Sequence, residues 1–272
     1  MSKRVRSEIK HPEIIRMGVE AYEKRLDRLL TSFVERPSNL SRFPNSRRAA
    51  VEVDALGEND ELTIQYMQLS LQLGVAHFIS ALELTCDFGV DYLGKKYPYA
   101  LKASQSYIDA NSWLSNAYMA IVLRNENALR ILCSITTDAL READSSPPES
   151  SYHLVDFMKG LFNSDADIGE LLISAMESLE DIDYMSDIRS PLLSLYRCFL
   201  SNDQNEFNQK LDEALVFHKE FWADNTENYH DVDGWVSMEL LAVLSLANDN
   251  KKWSLSAQSD YIPSWLVSGE LV

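Results

Sequence analysis

The apolar positions of this chain fall into helical rows almost from its first proline. Pro12 stands where proline is favoured, at a first helical position. Ile15, Val19, Tyr22, Leu26, Leu29 and Phe33 follow it four and three residues apart, one stripe along a helix that Pro37 ends. Behind it, the stretch with Pro44 and the Arg47–Arg48 pair reads as a loop. A second long helix opens near Asp60–Glu61, where Leu62, Tyr66, Leu69, Leu73 and Ala76 repeat the spacing. Leu71, Val75, Phe78 and Leu82 widen its apolar face so far that this helix is predicted to be central. Gly94 to Pro98 breaks it off.

From about residue 108 an apolar helix, a short Asn/Asp/Ser-rich turn and another apolar helix recur. The turns are Asn125–Asn127, Asn163–Asp167, Asn202–Asn205 and Asn248–Asn250, with starts 38, 39 and 46 residues apart, near the repeat lengths of α-solenoids. Their side chains are suited to capping helix N-termini, and Asp203 with Glu206 fits a variant of the capping box. The helices between carry the sets Leu129/Cys133/Leu140, Leu154/Phe157/Leu161, Ile168/Leu172/Ala175/Leu179 and Leu192/Tyr196/Phe199. Ser190–Pro191 reads as an N-cap followed by a first-turn proline, and Ser145–Pro148 as the best hinge. The expectation is one all-α domain over 1–272, with long helices in 1–106 and antiparallel helical hairpins in a solenoid-like, TPR-like array over 107–272. Little or no sheet is expected.

Composition agrees. Nine glycines and eight prolines in 272 residues fall well below the roughly 7% and 5% of an average chain, too few for a turn-rich sheet protein. Cys86, Cys133 and Cys198 are far apart and each sits in an apolar run, so they read as buried free thiols of a reducing compartment. Lys3, Arg4 and Arg6 precede no apolar stretch, and no run of 18 apolar residues occurs; a secretory signal and a membrane span are not expected, and the cytoplasm is the default address.

Charge changes the picture more. Residues 1–50 hold 12 Lys+Arg against 6 Asp+Glu, a net of +6, which leaves 13 against 36, a net of −23, for the other 222 residues. Such a chain repels nucleic acid over most of its surface and attracts basic partners, although solubility alone also favours acidic surfaces.

Candidate chemistry is sparse. No Gly-rich phosphate loop, zinc-protease helix motif or nucleophile elbow occurs. Asp165/Asp167, Asp181/Asp183 and Asp231/Asp233 are paired carboxylates of the kind that hold Mg²⁺ when more oxygens converge. Each pair falls at a helix boundary, where capping is the simpler account. His230 has no second histidine at ligand spacing, and His218 lies on the stripe Phe207, Leu211, Ala214, Phe221, so it reads with Trp222 as core. Glu177, Glu180, Asp181, Asp183 and Asp187 put five acids in eleven residues without one base, either a solvated helix end or a contact patch for a basic partner. No cofactor, metal or catalytic residue is predicted.

Three stretches carry a likeness: Phe207-x-x-x-Leu211-x-x-Ala214-Leu215-x-x-His218-Lys219-x-Phe221-Trp222, then Gly234–Trp235 with the helix to Ala247, then Ser259-Asp260-Tyr261-Ile262-Pro263-x-Trp265-Leu266. With them the region 107–272 resembles the immunity protein 49 family of bacterial polymorphic toxin systems. The resemblance implies an all-α, non-catalytic protein that binds and neutralises a cognate toxin inside the producing cell or its kin, a part in interbacterial competition. Joined to the charge, it points to a basic toxin domain acting in the cytoplasm, with nucleases among the classes that fit. The expected contact face is the run Glu177, Glu180, Asp181, Asp183 and Asp187, with the Asp231/Asp233 loop as second choice. Two other readings stay open: a helical-repeat scaffold that docks a peptide, and a helical enzyme using the Asp-x-Asp pairs and a metal.

Overall fold

The computed structural model describes residues 11–57, 59–102, 106–179, 185–224, 227–228, 231–255 and 257–270. Among them lie twelve α-helices and one small hairpin. The helices are α1 (Pro12–Leu30), α2 (Phe43–Leu56), α3 (Asp60–Ala81), α4 (Ala110–Val122), α5 (Glu126–Ser134) and α6 (Thr137–Arg141). They continue with α7 (Glu149–Gly160), α8 (Ile168–Glu177), α9 (Ser190–Ser201), α10 (Gln204–Trp222), α11 (Met238–Lys251) and α12 (Ser264–Ser268). The strands β1 (Val90–Tyr92) and β2 (Lys95–Tyr97) pair antiparallel with Asp91 opposite Lys96.

The fold is all-α in the sense expected, and the side chains at its helix starts explain why. Asn59, Asp109, Asn125, Thr136, Asp167, Asp203 and Ser237 each accept from an amide in the first turn of α3, α4, α5, α6, α8, α10 and α11. Asp203 takes the Glu206 amide at 2.9 Å, but the Glu206 carboxylate pairs with Arg197 instead of closing the capping box. The turn at Asn248–Asn250 is the last turn of α11, not a connector.

Several local expectations need correction. Residues 43–56 are α2, not a loop: Pro44 sits in the first turn, where a missing N–H costs nothing, and Gly57 ends the helix at φ 64°. The first helix stops at Leu30 although Phe33 is fully buried, and α3 stops at Ala81, after which the chain turns into the hairpin through Leu93 and Gly94 at φ 52° and 76°. Ser190 is not an N-cap, because a π-helical turn over 185–189 runs straight into α9. Of the cysteines Cys198 is buried and Cys133 half-buried, while Cys86 is exposed beyond the end of α3, contrary to expectation.

Consecutive pairs such as α2–α3, α7–α8 and α9–α10 pack together, as hairpins do. The helices nevertheless close around α4, which touches α3, α5 and α7 on its way to α11, far along the chain. In a strict solenoid each repeat meets only its neighbours. Arg124, at φ 51° after α4, helps to close the ring: it donates to the Leu266 carbonyl at 2.8 Å and to that of Val267, and pairs with Asp249 at 3.1 Å. A cation at the end of α12 satisfies carbonyls that the helix leaves open.

The α3–α4 seam fits tightly. A Cβ at Gly74 would lie 1.9 Å from Asn116 Oδ1, and buried Asn116 donates to the Ser112 carbonyl at 2.8 Å. Gly74→Ala is therefore expected to cost roughly 1–3 kcal/mol of stability by overpacking. In urea unfolding, Gly74→Ala with Asn116→Ala should lose less than the two single losses added together, because the second change removes the obstruction.

His77 is fully buried on α3, and its Nε2–H donates to the Ser106 carbonyl at 2.6 Å while Nδ1 has no hydrogen-bond partner among the described residues. Burial pushes its imidazolium below the ordinary 6.5. Above pH 7.5 the ring is neutral in both folded and unfolded chains and has no effect on pH dependence. Below about 6.5 the unfolded chain takes up a proton that the folded one refuses, so stability falls with pH until the depressed folded pKa is passed. Melting curves from pH 7.5 to 5.5 should fall more steeply for the wild type than for His77→Gln, which keeps a donor and does not ionise.

Candidate partner-binding site

The end of α10 is where the local sequence brings most side chains of special type together. Phe207, Leu211, Ala214 and His218 are the buried stripe of that helix, and Trp222, half-buried, is its last residue. His218 Nε2–H donates to the Gly234 carbonyl at 2.9 Å, and its ring lies 4.8 Å from that of Tyr261. Gly234 has no room for a side chain: a Cβ there would sit 2.6 Å from Trp222 Cβ and Cγ. The Ser237 amide donates to the Tyr261 carbonyl at 2.9 Å and so fastens the C-terminal stretch to the start of α11.

Beside this cluster lies a cleft of about 330 Å³ between α4, the π turn at 185–189 and the short turn Val232–Gly234. Several of its polar groups are engaged. Arg47 of α2 donates to Asp233 Oδ2 at 2.7 Å and to the Ser115 hydroxyl, and buried Arg189 reaches Asn111 Oδ1 at 3.0 Å and Ser150 Oγ at 3.2 Å. Ser237 caps α11. A histidine whose proton is held by a carbonyl and two serines occupied by structural bonds hold the walls together.

The profile of the immunity protein 49 family matches residues 54–266, from the end of α2 into α12. The chain belongs to the immunity protein 49 family. No curated protein and no solved structure gives a significant match. The immunity protein 49 match reaches back to Asp54 and takes in α3 as well as residues 107–266 of the region that carries the resemblance. His218, Trp222, Gly234 and Tyr261, from the three stretches of the likeness, meet in this one cluster.

The predicted contact residues of this immunity protein 49 chain are placed as follows. Glu177 ends α8 and is exposed, and Asp187 is half-buried in the π turn. Glu180, Asp181 and Asp183 lie outside the described residues, as does His230. Asp231 and Asp233 are exposed; Asp231 accepts the Asp233 amide at 3.0 Å, and Asp233 carries the Arg47 pair. Of the four described, Asp233 lines the cleft and the others do not. Asp167 caps α8, and among the described residues no group of three or more His, Cys, Asp or Glu is placed to hold a metal ion. No helix among them is long and apolar enough to cross a membrane.

Sequence reasoning passed over the residues beside Glu177. Leu172 and Ala175 of α8 are buried as expected, whereas Ile173 and Met176 are 49% and 37% exposed on the face that Glu177 shares. The signal was available: they fall off the stripe Ile168/Leu172/Ala175/Leu179 yet are apolar.

Gly234→Ala tests the packing of the family cluster. The new methyl should displace Trp222 and lower stability by roughly 1–3 kcal/mol, read as a lower urea midpoint with a changed tryptophan emission. An unchanged midpoint would mean that Trp222 does not rest on Gly234.

Proposed function

We propose that this protein neutralises a cognate toxin by binding it directly, without catalysis, in the cytoplasm of the cell that makes it. Membership of the immunity protein 49 family over residues 54–266 carries this reading. The partner is proposed to be a basic toxin domain, with a nuclease as the leading class, because enzymes that work on polyanions tend to be basic and because the chain beyond residue 50 is at −23. Neutralisation must outrun damage, which rewards steered, fast association.

The contact face is proposed to centre on α8. Ile173 and Met176 supply exposed apolar anchors beside exposed Glu177, and Glu180, Asp181, Asp183 and Asp187, which follow it in the sequence, are proposed to supply further acids to the contact. The Asp231/Asp233 loop is the second choice, weakened by the share of Asp233 charge that Arg47 already answers. The consecutive helix pairs also suit a scaffold that docks a peptide, with contacts commonly weaker than neutralisation needs.

The test is co-expression with the toxin encoded beside this gene, followed by binding kinetics. Wild type should rescue growth. Glu177→Lys with Glu180→Lys should slow association, and more so at 0.01 M than at 0.1 M salt, where the Debye length shrinks from about 30 Å to about 10 Å. Ile173→Ala with Met176→Ala should instead speed dissociation. Rescue with no kinetic effect of either pair would move the interface off α8, and failure of the wild type to rescue would favour the scaffold.

A further inference from the structure

A second concavity among the described residues lies ahead of the family-matched region. It is an open groove of about 1020 Å³ between α1 and the segment from Thr31 through α2, and every residue that lines it lies between Gly18 and Glu52. Its floor is apolar: Leu26 and Ala49 are buried, and Tyr22 and Leu29 are partly so. Tyr22 bonds Ser46 across the floor at 2.5 Å, and burial pushes its phenol up to about 12, so it stays neutral.

The rim is cationic. Arg25 and Arg28 come from α1, Arg36 from the turn after it, Arg42 from the 3₁₀ turn at 37–42 and Arg48 from α2, against two acids, Glu35 and Glu52. Arg48 is held by Glu52 at 2.9 Å. Arg25, Arg28, Arg36 and Arg42 are exposed and make no ion pair or side-chain hydrogen bond among the described residues. In a chain of net charge −17, unanswered arginines would be expected to find carboxylates. Here four of them ring one groove instead.

We propose that this groove receives an acidic amphipathic segment of a partner protein, its carboxylates held by the arginine rim and its apolar side chains laid on the floor. Guanidinium forks match carboxylates two bonds at a time. The floor gives apolar side chains of the same segment a place out of water, which an anion alone would not use. A nucleic acid fits less well, because its phosphates continue beyond the groove onto a body at −23. The proposal is independent of the immunity reading: it concerns residues ahead of the family match and stands or falls without a toxin.

The experiment uses the full chain and fluorescence anisotropy at 0.05 M salt. The probe is a labelled octapeptide of six glutamates and two leucines; the competitors are an all-glutamate octapeptide, an eight-nucleotide oligothymidylate and inorganic phosphate. The Glu/Leu peptide should bind, and more tightly than the all-glutamate one. Arg25→Glu and Arg36→Glu should each weaken it about fivefold or more, the upper end for one exposed ion pair. Arg130→Glu, an equal charge change on the exposed face of α5 away from the groove, should have little effect. Circular dichroism should show all three variants folded. Equal weakening by all three would reduce the effect to net charge and overturn the proposal. Tighter binding of the oligothymidylate with the same arginine dependence would make the groove a nucleic-acid site. Competition by phosphate as strong as by the all-glutamate peptide, with no gain from leucine, would make it a simple anion site. Absence of peptide binding overturns the proposal outright.

Discussion

Eleven of the thirteen residues of α4 are out of water, Ser112 and Asn116 among them, and a helix buried to that extent has to be covered on most of its sides. Its covers come from both ends of the chain: α3 before it, α5 and α7 after it, and α11 from far downstream. Each cover has a matching local device. Gly74 clears a notch for Asn116, the Trp113 indole donates to the Leu132 carbonyl of α5 at 2.8 Å, and Arg124 holds the carbonyls at the end of α12. The packing of α11 against α4, far apart in sequence, is a contact that a strictly stacked array would not make. The cleft beside Trp222 lies where α4 and the start of α11 meet α2, α10 and the π turn.

How much of this was legible follows from which forces are local. Caps are local, so Asn125, Asp167 and Asp203 could be read as helix starts before any packing was known. The central place of α3 was legible as well, because its wide apolar face leaves only the narrow polar stripe Glu61, Gln65, Gln68 and Gln72. α2 was not, for two reasons. Pro44 reads as a breaker unless it is recognised as a first-turn residue, and Glu52 and Asp54 sit at positions that are buried in the fold, which blurs the apolar stripe. The hairpin at 90–97 was hidden because Gly94 reads equally as the end of a helix or the turn between two strands. The closure of α11 onto α4 has no local signature, so hairpin spacing alone suggested a solenoid.

At the candidate site the division is similar. His218 reads as core from its place on a stripe, and its bond to the Gly234 carbonyl is what a buried imidazole needs. Asp231 and Asp233 read as acids, but nothing near them in sequence announces Arg47, which arrives from α2. Charge in a sequence is a sum, whereas charge on a surface depends on which partners folding supplies.

The same distinction applies to the +6 carried by the first 50 residues, which looks in the sequence like a minor offset to −23. Folding does not spread it over the acidic body. Arg47 and Arg48 are consumed by Asp233 and Glu52, while Arg25, Arg28, Arg36 and Arg42 remain around one concavity. A molecule with a cationic groove on an acidic body exerts a torque on any charged partner as well as an attraction, and a torque selects orientation before contact. A uniformly basic partner would be drawn to the body and turned away from the groove; one with an acidic segment beside a basic face would be aligned by both. The two proposed surfaces are therefore not redundant. If one partner uses both, the second engagement becomes intramolecular once the first has formed, and its contribution depends on whether the partner can span them.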